Sequence, residues 1–423
     1  ARGSAENRRV LRRLAMPIST KATEMLGIEH PIVMGGLTGV GVVELAAAVS
    51  NAGGLGMFTA HNAGSPEGAR QEIRRLKSLT SKPFGVNLTV LPTIGTPPPY
   101  EEYARVFIEE GVKVVETAGS NPKKWVEMFK AADPGIVCIH KCVAIRHALK
   151  AEQIGVDIIS LDGFECAGHP GEDDVGNFVL QAKGAKMLTK PYICSGGVAN
   201  GRQLAAALAL GAAGVGGACL AERTQCCGQR VLGPCRRAGV NCGTRFAVTK
   251  EGNWPQAFKE RAVAAEETAT VLMFRPPAPP HTRRKHCARR TRAVTATPCV
   301  GTRPPRLARP PAHCCRRKLH NTARAFRNKV TEEVEQIEAE KGSKLEFSDI
   351  MPLVMGKRGR EAEARGDPDG GVWSAGQSVG LIDDIPTCME LVPRIVREAE
   401  EIIRGLCSVV VSPQLAVSPQ ARL

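Results

Sequence analysis

The sequence has few aromatic residues and no disulfide framework. Phe, Trp and Tyr make up 4% of its 423 residues. Four of the 15 Cys fall in residues 216–240, four fall in 276–317, and the other seven are scattered singly. No two cysteines have the C-x₂-C spacing of a zinc site, which argues against structural zinc. We expect a reducing compartment, with the scattered cysteines acting as small buried hydrophobic residues.

The sequence also lacks a distributed positive charge, although its formal net charge is +15. Residues 276–317 contain ten Arg and one Lys without an acidic residue, and 216–240 contain four Arg and one Glu. These two segments carry nearly all of the excess charge. A nucleic-acid-binding surface would extend over folded elements, so we expect no nucleic-acid partner. Binding through the Arg-rich segment 276–317 is the alternative, and salt-sensitive retention would reveal it.

No hydrophobic run is typical of a membrane span. One uncharged run, residues 204–221, is rich in Gly and Ala and falls where a helix and a strand of the pattern below are expected. The first 13 residues contain five Arg and one acidic residue, which fits either a transit-peptide remnant or a disordered tail over 1–19. We therefore expect a cytoplasmic or organellar protein that is not secreted.

Short apolar runs alternate with amphipathic stretches from residue 31 onward. The predicted strands are Pro31–Met34, Gly54–Phe58, Phe84–Leu88, Val112–Thr117, Ile136–His140, Asp157–Leu161, Pro191–Ser195, and one built on Gly214–Val215 or on Gly239–Val240. The intervening predicted helices include Val42–Asn51, Glu67–Leu79, Tyr100–Glu110, Val143–Gln153 and Gly201–Leu210. Alternating strands and helices favour a parallel sheet, either closed into a barrel or open and doubly wound.

Two segments interrupt this pattern. The tripeptide at 213–215 recurs at 238–240, so removal of 216–240 joins GAAGV directly to NCGTRF. Removal of 276–317 joins VLMFR to KLHNTARAFRN, which we interpret as one continuous helix. Nine Pro in 276–317 exclude a long helix or a central strand there. We predict two disordered insertions, an α/β domain over 20–275, a small helical domain over 318–405 and a tail over 406–423.

Glycine-rich motifs follow the predicted strands in a fixed order. They are HPIVMGG (30–36), LAAAVSNAGGLG (45–56), PFGVNLT (83–89), HKC (140–142), DGFECAGHPGEDD (162–174), SGGVANGRQLAAALALGA (195–212) and GTRF (243–246). In this order they resemble the nitronate monooxygenase family, from about Thr20 to Arg404. The resemblance implies a (β/α)₈ TIM barrel with a small C-terminal helical domain, FMN as cofactor, and oxidation of a nitronate by dioxygen.

The glycines of Ser195-Gly196-Gly197 predict a phosphate site. They follow one strand and precede a helix, so backbone N–H groups can approach a phosphate closely. Gly243 and Thr244 would add donors from the next loop, and paired phosphate loops after the seventh and eighth strands recur in TIM barrels. A simple turn is the structural alternative.

Further cofactor contacts follow from the resemblance. It places Met34, Gly35 and Gly36 against the flavin ring. Asn87 would address the ring or the ribityl chain, unless it only closes its own turn. Lys141 would bring positive charge to the flavin, or pair with Glu165 or Asp162. Gln377, in a GQSVG segment, would belong to a loop that reaches back over the flavin.

His169 is the predicted catalytic residue. It lies among small residues after a strand, where nothing marks it as a core histidine. An imidazole that titrates near neutral pH can take a proton from a carbon acid. A loop histidine bonded to backbone is the alternative. We expect the acidic run Glu172-Asp173-Asp174 to cap the next helix or face solvent rather than bind metal.

Two other functions are compatible with these residues. An NAD(P)H-dependent enoyl reductase shares the fold and most of the motifs. A flavin-free barrel scaffold would result if segment 216–240 disrupted the phosphate site. The mechanism that the resemblance implies requires no nicotinamide, and the sequence contains no Rossmann glycine fingerprint.

Overall fold

The computed structural model describes residues 18–90, 97–211, 237–274 and 321–409. The strands are β1 (Ile32–Val33), β2 (Gly56–Thr59), β3 (Phe84–Val90), β4 (Val114–Gly119), β5 (Val137–Cys142), β6 (Ile158–Asp162), β7 (Tyr192–Ser195), β8 (Arg237–Asn241), β9 (Thr270–Met273) and β10 (Ala323–Phe326). The helices are α1 (Lys21–Leu26), α2 (Val43–Asn51), α3 (Pro66–Leu79), α4 (Tyr100–Glu109), α5 (Lys123–Ala132), α6 (Ile145–Ile154), α7 (Asn177–Met187), α8 (Gly201–Leu210), α9 (Thr244–Ala247), α10 (Gln256–Val263), α11 (Lys329–Lys341), α12 (Phe347–Val354), α13 (Gly356–Arg365) and α14 (Cys388–Val409).

The first eight strands close into a parallel barrel. Neighbouring strands pair in the order β1-β8-β7-β6-β5-β4-β3-β2. The two ends of this order meet where Val33 forms an isolated bridge with Leu55, just before β2. The Met34 amide donates to the Leu55 carbonyl at 2.9 Å, and the Leu55 amide donates to the Ile32 carbonyl at 2.9 Å. The predicted TIM barrel is therefore confirmed, and the open sheet is excluded.

The eighth strand uses the second copy of the repeated tripeptide. Val240 pairs with Ile32 of β1 and with Cys194 of β7. The first copy, at 213–215, lies outside the described residues, as do all of 212–236. The predicted insertion 216–240 therefore overlaps the strand at its end, because residues 237–240 belong to β8.

The strands are buried on both faces, as parallel strands covered by helices must be. All five residues of β6, for example, are buried. The helices begin at recognisable signals. Ser65 accepts a hydrogen bond from the Gly68 amide at 3.0 Å, and Pro66 occupies the first turn of α3, where its missing N–H costs nothing.

Residues 323–326 form a strand. The continuous helix predicted for VLMFR followed by KLHNTARAFRN is therefore wrong. Met273 of β9 pairs with Ala323 of β10 in an antiparallel ladder. On its other side, Arg324 exchanges two backbone hydrogen bonds with Gly168, at 2.6 and 3.1 Å. A helix would leave these partners unsatisfied, and the alternation of small and large residues from Ala323 to Phe326 matches a period of two.

The region after β8 is divided between two cores. A second hydrophobic cluster, separate from that of the barrel, is built from buried residues of β9, β10 and the following helices: Val271, Met273, Phe274, Ala325, Val330, Val334, Leu345, Ile350 and Leu353. Helix α14 instead packs on α2 and α8 of the barrel. A Cβ on Gly201 would lie 2.6 Å from the Ala399 nitrogen, and Glu398 accepts from the Gly201 amide at 2.8 Å.

No helix in the described ranges is long and apolar enough to cross a membrane. The uncharged run 204–221 begins inside α8 and continues, from residue 212, outside the described residues. Six scattered cysteines are free and buried, as predicted: Cys138, Cys142, Cys166, Cys194, Cys242 and Cys388.

Candidate functional site

Polar side chains gather at the end of the barrel where the parallel strands terminate. The register pairs Asn87 with Glu116, Asp162 with Ser195, and Ser195 with Asn241. All these residues except Glu116 and Asn241 lie in the motifs singled out above. Active sites of TIM barrels lie at this end.

Glu116 links three of the residues expected to contact FMN. Its side chain is fully buried. Oε1 accepts hydrogen bonds from the Gly36 amide at 2.8 Å and from Nδ2 of Asn87 at 2.8 Å. The same oxygen lies 3.7 Å from Nζ of Lys141. Oε2 is buried and has no hydrogen-bond partner in the described part of the chain.

Lys141 therefore pairs with Glu116, which was not among its predicted partners. Its ammonium also donates to the Gly36 carbonyl at 3.3 Å. Burial by itself lowers the pKa of Lys141, but the negative charges of Glu116 and Asp162 outweigh burial and raise that pKa. The predicted pairing with Glu165 is wrong, because the Glu165 carboxylate instead accepts from the Asn177 amide at 3.0 Å.

The Gly35-Gly36 loop is held by side chains of the protein. The Gly35 amide donates to Oδ1 of Asn241 at 2.7 Å, and the Gly36 amide donates to Glu116. Both positions require glycine, because an added Cβ would collide with Asn241 or with Asn87. Met34, which precedes them, is buried. The contact of these residues with a flavin ring stays a prediction.

Asn87 also hydrogen-bonds to protein partners through both polar atoms of its side chain. It is buried, its Nδ2 donates to Glu116, and its Oδ1 accepts from the Thr89 hydroxyl at 2.8 Å. It lies inside β3, so it does not close a turn.

A hydrogen-bonded chain continues from the glycine loop to Asp162. Nδ2 of Asn241 lies 3.3 Å from the Ser160 hydroxyl, which donates to Oδ1 of Asp162 at 3.0 Å. Burial raises the pKa of Asp162, while the charge of Lys141 and a hydrogen bond from Ser195 act in the opposite direction. The site is therefore a connected network in which both signs of charge are shielded from solvent.

The loops after β7 and β8 offer backbone donors side by side. Gly196 and Gly197 have φ of +84° and +73°, a region that favours glycine. A Cβ on Gly196 would lie 2.8 Å from the Cys166 nitrogen. Within the described residues, no protein acceptor faces the amides of Gly196 and Gly197, nor those of Gly243 and Thr244. Such adjacent unsatisfied N–H groups fit a phosphate.

Asn177 holds the first of these loops in place. Its Nδ2 donates to the Ser195 carbonyl at 2.9 Å and to the Gly196 carbonyl at 2.7 Å. The carbonyls of Ser195 and Gly196 are therefore occupied by Asn177, whereas the N–H groups of Gly196 and Gly197 are not bonded to it.

His169 lies on an exposed part of the loop after β6. The preceding residue, Gly168, has φ of +69° and is bridged to Arg324 of β10. Although the residue is exposed overall, nearby protein atoms partly desolvate the imidazole and disfavour its charged form, which lowers the pKa of His169. The negative charge of Glu172 partly opposes this shift. The ring is therefore neutral at neutral pH, as a general base must be.

In the acidic run after His169, Asp173 and Asp174 face solvent, as predicted, whereas Glu172 is half-buried. Glu172 accepts from the amide and the hydroxyl of Thr322, both at 2.8 Å, and so ties the loop to β10. Asp173 pairs with Arg146. The amide at the start of α7 is instead capped by Glu165. Among the described residues, no cluster of His, Cys, Asp and Glu is suited to hold a metal ion.

The segment containing Gln377 reaches the barrel mouth. The backbone N–H of Gln377 donates to the Glu165 carbonyl at 3.0 Å, and the backbone N–H of Gly376 donates to the Thr244 hydroxyl at 2.9 Å. Thr244 is therefore occupied by a protein partner through its side chain. The direct contact of Gln377 with a cofactor stays a prediction.

Comparison with known proteins identifies the family. The family model described as nitronate monooxygenase matches residues 19–221. The chain is 30% identical, over 91% of its length and 97% of the relative, to (3aS,4S,5R,7aS)-5-hydroxy-7a-methyl-1-oxo-octahydro-1H-indene-4-carboxyl-CoA dehydrogenase of Mycobacterium tuberculosis. It is 33% identical to nitronate monooxygenase of Paraburkholderia phytofirmans over 44% of this chain and 62% of that one.

A solved structure resembles the whole fold. FabK from Thermotoga maritima superimposes with a TM-score of 0.70 and 29% identity, over 93% of this chain and all of the other.

Proposed function

The chain belongs to the nitronate monooxygenase family, and on that premise we propose that it binds FMN at the barrel mouth and oxidises nitronates with dioxygen. The observation that carries this proposal is the pair of loops at Ser195–Gly197 and Gly243–Thr244, because the N–H groups of Gly196, Gly197, Gly243 and Thr244 have no acceptor in the described part of the protein. The loop of His169 follows the neighbouring strand at the same end of the barrel.

The residues at the barrel mouth offer backbone N–H donors for a phosphate and a positive charge near the flavin. Ser195, Gly196, Gly197, Gly243 and Thr244 would hold the phosphate. A further set would surround the ring: Gly35, Gly36, Asn87 and Lys141, which belong to the network around Glu116 and Asn241, together with Met34 and Gln377. When bound, FMN supplies an acceptor for the substrate's electrons and a site of reaction with dioxygen.

His169 supplies the proton chemistry of the protein. A nitro group acidifies the carbon that carries it, so a neutral imidazole is a sufficient base. If a neutral nitroalkane enters, His169 removes its α-proton and the nitronate results. A preformed nitronate needs no such step. The products are an aldehyde or a ketone, and nitrite.

A second substrate class is favoured by the extent of the similarity. The Mycobacterium tuberculosis relative is named for an indene-carboxyl-CoA and aligns with 97% of its own length, whereas the alignment with nitronate monooxygenase spans 44% of this chain. The α-carbon beside a thioester carbonyl is also a carbon acid, so the same base would serve. A CoA thioester, oxidised or reduced at that carbon, is therefore the alternative substrate.

One experiment distinguishes these functions. The purified protein is examined for visible flavin absorption and then mixed, without oxygen, with propyl-2-nitronate, with an acyl-CoA, or with NADH and an enoyl thioester. We expect bleaching by the nitronate and release of nitrite once oxygen is admitted. Bleaching only by the acyl-CoA selects the thioester function, and turnover only with NADH selects the enoyl reductase. A colourless protein that FMN cannot restore contradicts all three.

A further inference from the structure

One buried carboxylate connects three residues of the FMN site, yet the chemistry proposed above does not use it. Glu116 accepts from the Gly36 amide and from the Asn87 side chain, and it lies 3.7 Å from the Lys141 ammonium. Its side chain is 0% exposed and that of Lys141 is 19% exposed. The ion pair therefore has its negative end inside the barrel and its positive end nearer the mouth.

The negative charge of Glu116 is not needed for the two hydrogen bonds. A glutamine carbonyl oxygen could accept both of them. The carboxylate instead carries a second oxygen, Oε2, which is buried without a partner in the described residues. A buried and incompletely bonded carboxylate is costly. Its presence is explained if the charge itself has a role.

We propose that Glu116 is a positioning residue that fixes Lys141 and Gly36 and sets the electrostatic potential experienced by the flavin, and thereby its reduction potential. The inference rests on the FMN binding proposed above. Negative charge from Glu116 opposes the addition of electrons to the flavin, and positive charge from Lys141 favours it. The shielding of the site from solvent strengthens both effects.

Exchange of Glu116 for glutamine tests the sign of this effect. Glu116→Gln removes one negative charge with almost no change in shape, so the reduced flavin should become easier to form. We expect sulfite, a probe that leaves negative charge on oxidised flavin, to bind at least tenfold more tightly. A tenfold change in the two-electron equilibrium corresponds to a potential about 30 mV higher.

Lys141→Met should move both quantities in the opposite direction, because Glu116 is then uncompensated. Sulfite binding should weaken at least tenfold. Opposite shifts from the two variants cannot arise from general damage to the fold. Glu116→Asp, which keeps the charge, should stay much closer to the wild type in both quantities than Glu116→Gln.

A matched control comes from the second core. Glu338 is also buried, and its Oε1 accepts from the Phe274 amide at 2.5 Å. Glu338→Gln should leave sulfite binding unchanged. If the wild type binds no FMN, the proposed function fails first. If FMN is bound but Glu116→Gln leaves sulfite binding and potential unchanged, the inference is overturned. If that variant does not fold, unchanged sulfite binding in Lys141→Met overturns it alone.

Discussion

At the scale of single residues, the pKa and the exposure of His169 are set by the loop that carries it, because the residue is not part of a hydrophobic core. Its pKa is lowered by the surrounding protein and partly restored by Glu172. A residue with a neutral ring that solvent reaches can meet a small substrate and exchange its proton with water. Neither property could be read from the sequence, which gave only the residue type and its small neighbours.

Replacement of His169 by alanine should separate the proton step from the rest of the reaction. His169→Ala should retain FMN, because His169 is not among the phosphate or ring residues. Activity with neutral nitroalkanes should fall by roughly 10²–10⁴-fold, the usual contribution of a general base. Activity with preformed nitronate should fall much less. Equal and small losses on both substrates, measured as kcat/KM, would remove His169 from this role.

Replacement of Gly196 by aspartate should abolish flavin retention. The new side chain would meet Cys166 and would bring negative charge to the place where a phosphate approaches the amides. Gly155→Asp is the matched control, since Gly155 has φ of +102° but open space beside it, at the end of α6. The measurement is the flavin-to-protein ratio after purification. A Gly196→Asp protein that is fully loaded with FMN would place the phosphate elsewhere.

At the scale of elements, the strands of the barrel were predictable because burial on both faces gives each an apolar run with a polar end. Seven of the predicted runs overlap observed strands, and the eighth was correct in its second alternative. Helices α5 and α7 were not among the helices named from the sequence, although α5 has an amphipathic pattern that buries Trp125, Val126 and Phe129. Strand β10 was mistaken for helix because its partners, β9 and Gly168, are distant in sequence.

The site was predictable only in part, for a related reason. Glycines and polar residues that follow a strand are visible in the sequence. Glu116 and Asn241 lie within strands and were overlooked. The signal that could have identified them is a carboxylate or an amide inside an otherwise apolar run, near the end of the strand that faces the barrel mouth. Asn177 opens a helix and gave no such signal, because its partners are backbone carbonyls.

Glu172, which ties the His169 loop to the residue before β10, should affect the pH dependence of the activity. With a neutral nitroalkane, kcat/KM requires neutral imidazole, so it should fall as pH decreases through the lowered pKa of His169, below 6.5. Glu172→Gln removes the charge that raises this pKa, so the acidic limb should move to still lower pH. The activity at acidic pH, relative to the plateau, should therefore rise.

Asp173→Asn is the control for this shift, because Asp173 pairs with Arg146 and does not act on His169. Its profile should match that of the wild type. A limb that moves to higher pH in Glu172→Gln would contradict the assigned electrostatic role.

At the scale of the whole molecule, two segments separate parts that belong together. We propose that 216–240 and 276–317 are dispensable insertions; most of both lies outside the described residues. Because the tripeptide at 213–215 recurs at 238–240, deletion of 216–240 or of 214–238 yields the same protein. The ambiguity about which copy forms β8 therefore does not affect the experiment. After deletion of 276–317, residues 274–275 and 318–322 would connect the paired strands β9 and β10.

The double deletion should preserve or raise FMN content and improve solubility. It removes nearly all of the excess positive charge and eight cysteines. Closing a shorter loop changes stability only slightly, by ~0.6 kcal/mol per twofold change in length. In the intact protein, trypsin should cut first within the two segments, at their Arg residues. Failure of the double deletion to fold, or resistance of both segments to trypsin, would show that they are structured parts of the enzyme.

The closure of the barrel has a dynamic consequence. Strands β3 and β4 pair over five residues, from Val86–Val115 to Val90–Gly119, whereas β1 and β2 meet only at the Val33–Leu55 bridge. Opening at this seam breaks few hydrogen bonds, so the amides of Met34 and Leu55 should exchange with deuterium sooner than those of β3. The Gly35-Gly36 loop begins at this seam, and a ligand that engages it would join the two strands. Saturation with FMN should therefore slow exchange at Met34 and Leu55 more than anywhere in β3.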